Sequence, residues 1–210
     1  MSLPLAWTAV VPVKHTRLAK SRLSGRGESL RRRLAMAFVT DTVDALSRCR
    51  VVAGTLLVTN DADVADAFSA LDIHVALDEP DAGLNPALAH GAGVAAAQAP
   101  TNGILLMSAD LPALRPHELQ RALADAERHP RAFVCDIAGL GTTALCSLPG
   151  VQPQPQFGAR SRAAHRHRGV VEIRRDDIIS VRRDVDTWID LWDAARLGVG
   201  AATSRVLETG

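Results

Sequence analysis

The chain has 210 residues, of which 47% are hydrophobic and 22% are charged, so it can bury one ordinary core. Its 24 basic and 23 acidic residues nearly cancel, and only 3% of residues are aromatic, so nucleic-acid binding is not expected. Without a signal-peptide pattern or an apolar run of about 20 residues, we expect a cytoplasmic protein with no membrane partner. The cysteines Cys49, Cys135 and Cys146 lack metal-ligand spacing and are expected to be buried free thiols.

Hydrophobic periodicity predicts strands that alternate with helices, which is typical of a mostly parallel sheet covered on both faces. Strands are predicted at residues 6–13, 51–59, 73–77, 104–110 and 132–136, with shorter ones ending near 148 and spanning 170–174. Helices are predicted at 28–47, 62–70, from the 78–88 turn to 98, at 115–128, up to 167 and at 187–197. The segment 178–182 is short and apolar, and the tail after Gly198 is expected to fray.

Asp110 ends a run of apolar residues that begins at Ile104, and Pro112 stops the strand just after it. Ligands of open α/β sheets bind outside the carboxyl ends of the strands, and a carboxylate there suits Mg²⁺ beside nucleotide phosphates. The alternative is that Asp110 only caps the next helix or turn.

A basic loop follows the first strand and contains Lys14, Lys20 and Arg22. Lys14 and Lys20 are the only lysines of the chain, and a lysine is a compact charge suited to phosphate. The loop could therefore bind a nucleoside triphosphate, although it lacks the Walker pattern. The alternative is an ordinary solvated basic loop.

Two further segments open helices with residues that suit ligands. Gly83 and Asn85 lie where a helix N-terminus is expected, although Asn85 could simply be its N-cap. Gly158 and Ser161 similarly form a possible anion cradle, with a capped surface helix as the alternative.

The remaining polar residues near the C-terminus support several interpretations. His165 and His167 are two residues apart, so they share no helix face, and we expect surface residues rather than metal ligands. Asp184 and Asp186 lie on the same side of an extended segment, and either could be a second metal ligand facing Asp110. Alternatively, Asp186 caps the final helix.

Taken together, the motifs resemble those of the guanylyltransferases of coenzyme F420 biosynthesis, which act on 2-phospho-L-lactate or phosphoenolpyruvate. The resemblance spans nearly the whole chain. The motifs that carry it are Val11-Pro12-Val13-Lys14 with Ala19-Lys20-Ser21-Arg22-Leu23, Ser108-Ala109-Asp110-Leu111-Pro112, Gly141-Thr142-Thr143, Phe157-Gly158-x-x-Ser161 and Asp184-x-Asp186-Thr187.

The resemblance implies a single nucleotide-diphospho-sugar transferase-like (GT-A-like) domain over residues 1–210, a three-layer α/β sandwich with a mostly parallel mixed sheet. It implies the substrates GTP and a phosphorylated three-carbon acid, with Mg²⁺ as cofactor. The implied roles are Asp110 and Asp186 as metal ligands, with Asp184 as the fallback for Asp186; Lys14, Lys20 and Arg22 facing the triphosphate; Gly83 and Asn85 near the nucleoside; and Thr142, Gly158 and Ser161 holding the acid.

Phosphoenolpyruvate is the preferred acid, because the arginine-rich composition is typical of GC-rich actinobacterial genomes and the resemblance there implies that substrate. The other candidates are a molybdopterin or sugar-phosphate nucleotidyltransferase, whose glycine-rich loop is missing here, and a non-catalytic nucleotide-binding domain. A homodimer and contact with the next enzyme of the pathway are left open.

Overall fold

The computed structural model describes residues 4–14, 23, 27–71, 73–79 and 81–209. Strands and helices alternate along the first two thirds of the chain, as the periodicity predicts. The strands are β1 (Trp7–Pro12), β2 (Val52–Val58), β3 (His74–Ala76), β4 (Gly103–Met107), β5 (Arg131–Cys135), β6 (Thr142–Ser147) and β7 (Val171–Glu172). The helices are α1 (Glu28–Ser47), α2 (Ala62–Ser69), α3 (Leu84–Gln98), α4 (Pro116–Ala126), α5 (Ser161–His167), α6 (Ile179–Arg182), α7 (Trp188–Leu197) and α8 (Ala201–Thr209).

The strands form one seven-stranded sheet in the order β3-β2-β1-β4-β6-β5-β7. Strand β1 is parallel to both β2 and β4, β2 is parallel to β3, and β5 is parallel to β7. Strand β6 runs antiparallel to its neighbours β4 and β5. The predicted mostly parallel mixed sheet is therefore confirmed, and the carboxyl ends of β1 and β4 meet at the same edge.

Alternation along the central strands divides the core between the two faces of the sheet. Ala9 and Val11 belong to the cluster that includes the buried sides of α1, α2 and α4. Val10, between them, belongs to the opposite cluster with α3. Gly91 allows α3 to lie close to the sheet, because a Cβ there would come within 2.6 Å of Val10 Cγ1. The two helical layers make the predicted three-layer sandwich.

The C-terminal residues do not fray, and that prediction is wrong. Residues after Gly198 form α8, which packs on α1. The buried carboxylate of Asp41 on α1 accepts hydrogen bonds from the backbone N–H groups of Ala202 and Thr203, each at 2.9 Å. It therefore supplies the cap for the first turn of α8 from a distant part of the sequence.

The cysteines are as predicted, since Cys49, Cys135 and Cys146 are all buried free thiols. None of the described helices combines the length and apolarity needed to cross a membrane.

We expect Asp41→Ala to lower the free energy of unfolding by about 1–3 kcal/mol, because one buried and one partly buried N–H group lose a carboxylate acceptor. Urea denaturation measures the loss, and hydrogen exchange should become faster within residues 201–209. Asp44→Ala is the matched control, because Asp44 lies on the same helix in a solvent-exposed pair with Arg48. Equal stability of the two variants would contradict the capping role.

Candidate active site

A cavity of about 310 Å³ lies at the carboxyl ends of β1 and β4. Lys14, Asp110 and Asp186 all line it, together with apolar residues of α1. Three residues that are far apart in the sequence thus meet at one place. Lys20 and Arg22, predicted to join Lys14, lie outside the described residues.

Asp110 is held at the cavity by bonds to the backbone on each side of it. The Oγ1 of Thr42, fully buried on α1, accepts the Leu111 N–H at 3.1 Å and lies 3.2 Å from the carbonyl oxygen of Ala109. The carbonyl of Asp110 itself accepts the N–H of Val185 at 3.0 Å. Helix α4 begins after Arg115 without a side-chain cap, so Asp110 does not cap this helix.

Asp186 reaches the same cavity because its segment is fixed at both ends. Val185, just before it, is fully buried and bonded to Asp110. After it, Thr187 caps α7, and the Asp190 side chain accepts the Thr187 N–H at 2.7 Å in a capping box. Because Thr187 is the cap, the alternative that Asp186 caps this helix is wrong.

Asp184 is half-buried and lies in the field of three other carboxylates. Burial raises the pKa of Asp184 to about 7, with further increases from the nearby charges of Asp110, Asp186 and Asp136. Asp136 follows β5, and its side chain also accepts the N–H groups of Leu140 and Gly141.

The donor set fits a hard divalent cation. Mg²⁺ is usually bound by one or two carboxylates together with substrate phosphates, rather than by a cage made of protein alone. Asp110 and Asp186 supply two carboxylates on one cavity. The described residues contain no cluster of three or more His, Cys, Asp or Glu arranged to hold a metal.

A second cavity of about 290 Å³ adjoins the first, and Lys14 lines both. Gly83 lines it as the N-cap of α3 with φ of 105°, a conformation that strains other residues. Asp78 and Asp81 are also in its wall. Lys14 therefore lies between the cavity that contains Asp110 and Asp186 and the cavity at the start of α3.

Asn85 neither caps α3 nor lines these two cavities. Gly83 is the cap, so the N-cap alternative for Asn85 is wrong. Its side chain instead clamps one peptide segment, because its Oδ1 accepts the Phe157 N–H at 2.7 Å and its Nδ2 donates to the Phe157 carbonyl at 3.0 Å. Asn85 thereby connects α3 to the loop that carries Gly158.

Thr142 contacts a buried histidine, His165, which lies on the same short helix as Ser161. The Gly158 carbonyl accepts the Ser161 N–H at 3.0 Å, and Gly158 has a φ of 147°. Thr142 Oγ1 lies 3.0 Å from Nδ1 of His165. Thr143, the residue after Thr142, connects this region to the first cavity. Its carbonyl accepts the N–H of Ser108, and Ser108 lines that cavity.

The prediction of two surface histidines is wrong for His165, which is fully buried, whereas His167 is exposed. The helical period could have identified it, since His165 lies four residues after Ser161 and therefore shares its face of α5. Burial, with a smaller effect of Arg168, lowers the pKa of His165 to about 4.

The fold and this cavity define a class, the nucleotidyltransferases. Residues 20–173 match the family described as the MobA-like NTP transferase domain. A solved structure from Desulfovibrio desulfuricans, provisionally assigned as a nucleotide-diphospho-sugar transferase, is 20% identical with a TM-score of 0.70 and covers 97% of this chain and 94% of its own. Rv0371c from Mycobacterium tuberculosis, solved with manganese, is 22% identical with a TM-score of 0.56 and covers 91% of this chain and 98% of its own.

The sequence comparison is more specific. The phosphoenolpyruvate guanylyltransferase of Streptomyces coelicolor is 52% identical over 203 residues, which cover 96% of each chain. The chain belongs to the family of the phosphoenolpyruvate guanylyltransferases.

We expect Asn85→Ala to lower the free energy of unfolding by about 1–3 kcal/mol, because it leaves both polar groups of Phe157 unpaired. Asn60→Ala is the matched control, since Asn60 pairs in the same way with the backbone of Asp78 but at an exposed position. Water can replace that side chain, so the control should lose less than about 1 kcal/mol. Urea denaturation compares the two, and an equal loss would contradict the clamp.

Proposed function

We propose that the protein transfers GMP from GTP to phosphoenolpyruvate and releases pyrophosphate. The observation that carries the proposal is the convergence of Lys14, Asp110 and Asp186 on one cavity. It occurs in a chain that is 52% identical to a phosphoenolpyruvate guanylyltransferase.

The reaction needs no general base. The phosphate group of phosphoenolpyruvate is already a dianion. One of its oxygens attacks the α-phosphorus of GTP in line. A new P–O bond forms there, the bond to the β-phosphate oxygen breaks, and that oxygen leaves with the pyrophosphate. Catalysis then depends on positioning and on neutralising charge. Lys14 faces the departing pyrophosphate in this scheme, and the sequence predicts the same role for Lys20 and Arg22.

The acidic side chains would hold the cation. Asp110 and Asp186 are the proposed ligands of Mg²⁺, with Asp184 as the alternative to Asp186. When bound, the cation supplies charge neutralisation to the triphosphate oxygens, so that carboxylates and phosphates can share one cavity. Without a cation, the carboxylates would repel a triphosphate.

The second cavity suits the nucleoside. Guanine presents an amide N–H and an amino group on one edge, and a carboxylate can accept from both. Asp78 and Asp81 provide carboxylates in the wall of that cavity, beside Gly83. Asn85 acts from a distance in this proposal, through its clamp on Phe157.

Thr142, Gly158 and Ser161 are proposed to hold the acid. Ser161 is buried, and its Oγ has no hydrogen-bond partner among the described residues, which favours a ligand that supplies one. The acid 2-phospho-L-lactate is the alternative substrate, since it differs only around one carbon. Coenzyme F420 biosynthesis as the pathway, a homodimer and the next pathway enzyme as partner stay predictions from the sequence.

A substrate matrix tests the proposed reaction. Purified protein is incubated with Mg²⁺, each of GTP, ATP, CTP and UTP, and each of phosphoenolpyruvate, 2-phospho-L-lactate, mannose 1-phosphate and a molybdopterin substrate, and pyrophosphate release is measured. We expect the highest rate with GTP and phosphoenolpyruvate. A higher rate with another acid would refute that substrate, and nucleotide binding without any turnover would favour a non-catalytic domain.

We expect Asp110→Asn to reduce turnover by at least about 100-fold, because it removes a charged ligand of the cation at the reacting phosphates. The melting temperature should stay close to that of the wild type. Asp66→Asn, on an exposed position of α2, is the matched control and should retain full activity. The same substitution at Asp186 and at Asp184 decides which is the second ligand. Full activity of Asp110→Asn would refute the metal role.

A further inference from the structure

His165 is a buried polar residue to which the proposed reaction assigns no role. Its ring is fully buried and packs between two aromatic side chains. The Phe133 ring centroid lies 5.3 Å away, and the Phe157 ring meets it edge-on at 5.8 Å. Both ring nitrogens have a partner, at distances of 3.0 and 3.1 Å.

The partner of Nε2 fixes where the ring carries its proton. Nε2 lies 3.1 Å from the backbone nitrogen of Gln156, which can only donate. Nε2 must therefore be the unprotonated acceptor. A neutral imidazole has one N–H, so that proton is on Nδ1. Burial, together with the charge of Arg168, keeps the ring neutral by lowering its pKa to about 4.

The tautomer in turn fixes the orientation of Thr142. Since Nδ1 carries the proton, it donates to Thr142 Oγ1 across the 3.0 Å contact. The hydroxyl hydrogen of Thr142 is then not needed for His165 and is available to another acceptor. A hydroxyl that accepts a hydrogen bond also becomes a stronger donor.

A second observation favours a ligand beside His165. Ser161 lies one helical turn before His165, on the same face of α5. Ser161 is 2% exposed, and its Oγ has no hydrogen-bond partner among the described residues. A donor on Thr142 and an unsatisfied hydroxyl on Ser161 thus flank His165, which is the arrangement expected around an anionic oxygen.

We propose that His165 is a positioning residue for the acid substrate, which holds the Thr142 hydroxyl as a hydrogen-bond donor toward the anionic oxygens bound between Thr142 and Ser161. The inference rests on the proposed function. His165 itself touches no reacting atom. Its effect is confined to the acid, because neither Thr142 nor His165 lines the two cavities assigned to the metal and the nucleotide.

Paired substitutions separate this role from packing. In His165→Asn the amide nitrogen is the same number of bonds from Cα as Nδ1, so it can still donate to Thr142. In His165→Gln the amide reaches the position of Nε2, so the contact to Gln156 can be kept while the donor to Thr142 is lost. Thr142→Ser keeps the hydroxyl, and Thr142→Val removes it with little change of shape.

Steady-state kinetics provide the main test. We expect the KM for phosphoenolpyruvate to rise about tenfold in His165→Gln and in Thr142→Val. This is the effect expected when the substrate loses one hydrogen bond to its charged group. The KM for phosphoenolpyruvate should stay within about threefold of the wild type in His165→Asn and Thr142→Ser, and the KM for GTP should change little in all four. The double variant His165→Gln/Thr142→Val should be no worse than Thr142→Val alone, because both remove the same interaction.

The opposite pattern would overturn the role. If His165→Asn and His165→Gln raise the KM values of both substrates equally, or if the double variant is additive, His165 only supports packing. The tautomer can also be read directly in the wild type from the ¹⁵N resonances of the ring at pH 7, assigned through its contact with Phe133. A proton on Nε2 would overturn the inference even if the variants do not fold.

The same experiments distinguish the two proposals. Absence of pyrophosphate release by the wild type with GTP and every acid would refute the proposed function. An active wild type whose His165 variants follow the packing pattern would refute only the role of His165.

Discussion

The backbone hydrogen bond from Val185 N–H to the Asp110 carbonyl is the contact on which the candidate site depends. It joins the end of the central strand β4 to a segment that is 75 positions later in the sequence. Val185 is fully buried and belongs to a third apolar cluster, with Phe38 of α1 and Leu191 of α7. Apolar packing therefore provides the free energy that keeps Asp184 and Asp186 beside Asp110 against the repulsion of their charges.

A second connection joins the two proposed substrate regions. Asn85 belongs to α3, whose first residues line both cavities, and its side chain holds the backbone of Phe157. The next residues position Gly158 and Ser161, and the preceding residue, Gln156, fixes the tautomer of His165. One half-buried amide thus links the proposed nucleotide side of the site to the proposed acid side, so a change in either loop should affect the other.

The sequence predicts the sheet and most helix boundaries because alternation and helical periodicity are local signals. Helix α1 has the predicted limits, and β4 lies where a strand is predicted, although it ends at Met107 and not at Asp110. Tertiary contacts produced the errors. Helix α8 is ordered by the distant Asp41, Asn85 bonds to a loop 72 residues away, and His165 is buried by packing of Phe133 and Phe157 on it. For α8 and Asn85, nothing nearby in the sequence reveals such partners, whereas the spacing of Ser161 and His165 on one helix face could have indicated that His165 is buried.

The difference between local sequence patterns and tertiary contacts also explains how sequences can differ while the fold stays the same. Solved structures that are only 20–22% identical still superpose with TM-scores of 0.70 and 0.56. A sheet needs only apolar residues that alternate between its faces, and many sequences satisfy that pattern. The polar contacts after the strands are more demanding, because a buried donor or acceptor needs a partner of the right chemistry at the right distance. Substrate choice should therefore be encoded in pairs such as Thr142 with His165 and Asn85 with Phe157, rather than in the strands that carry them.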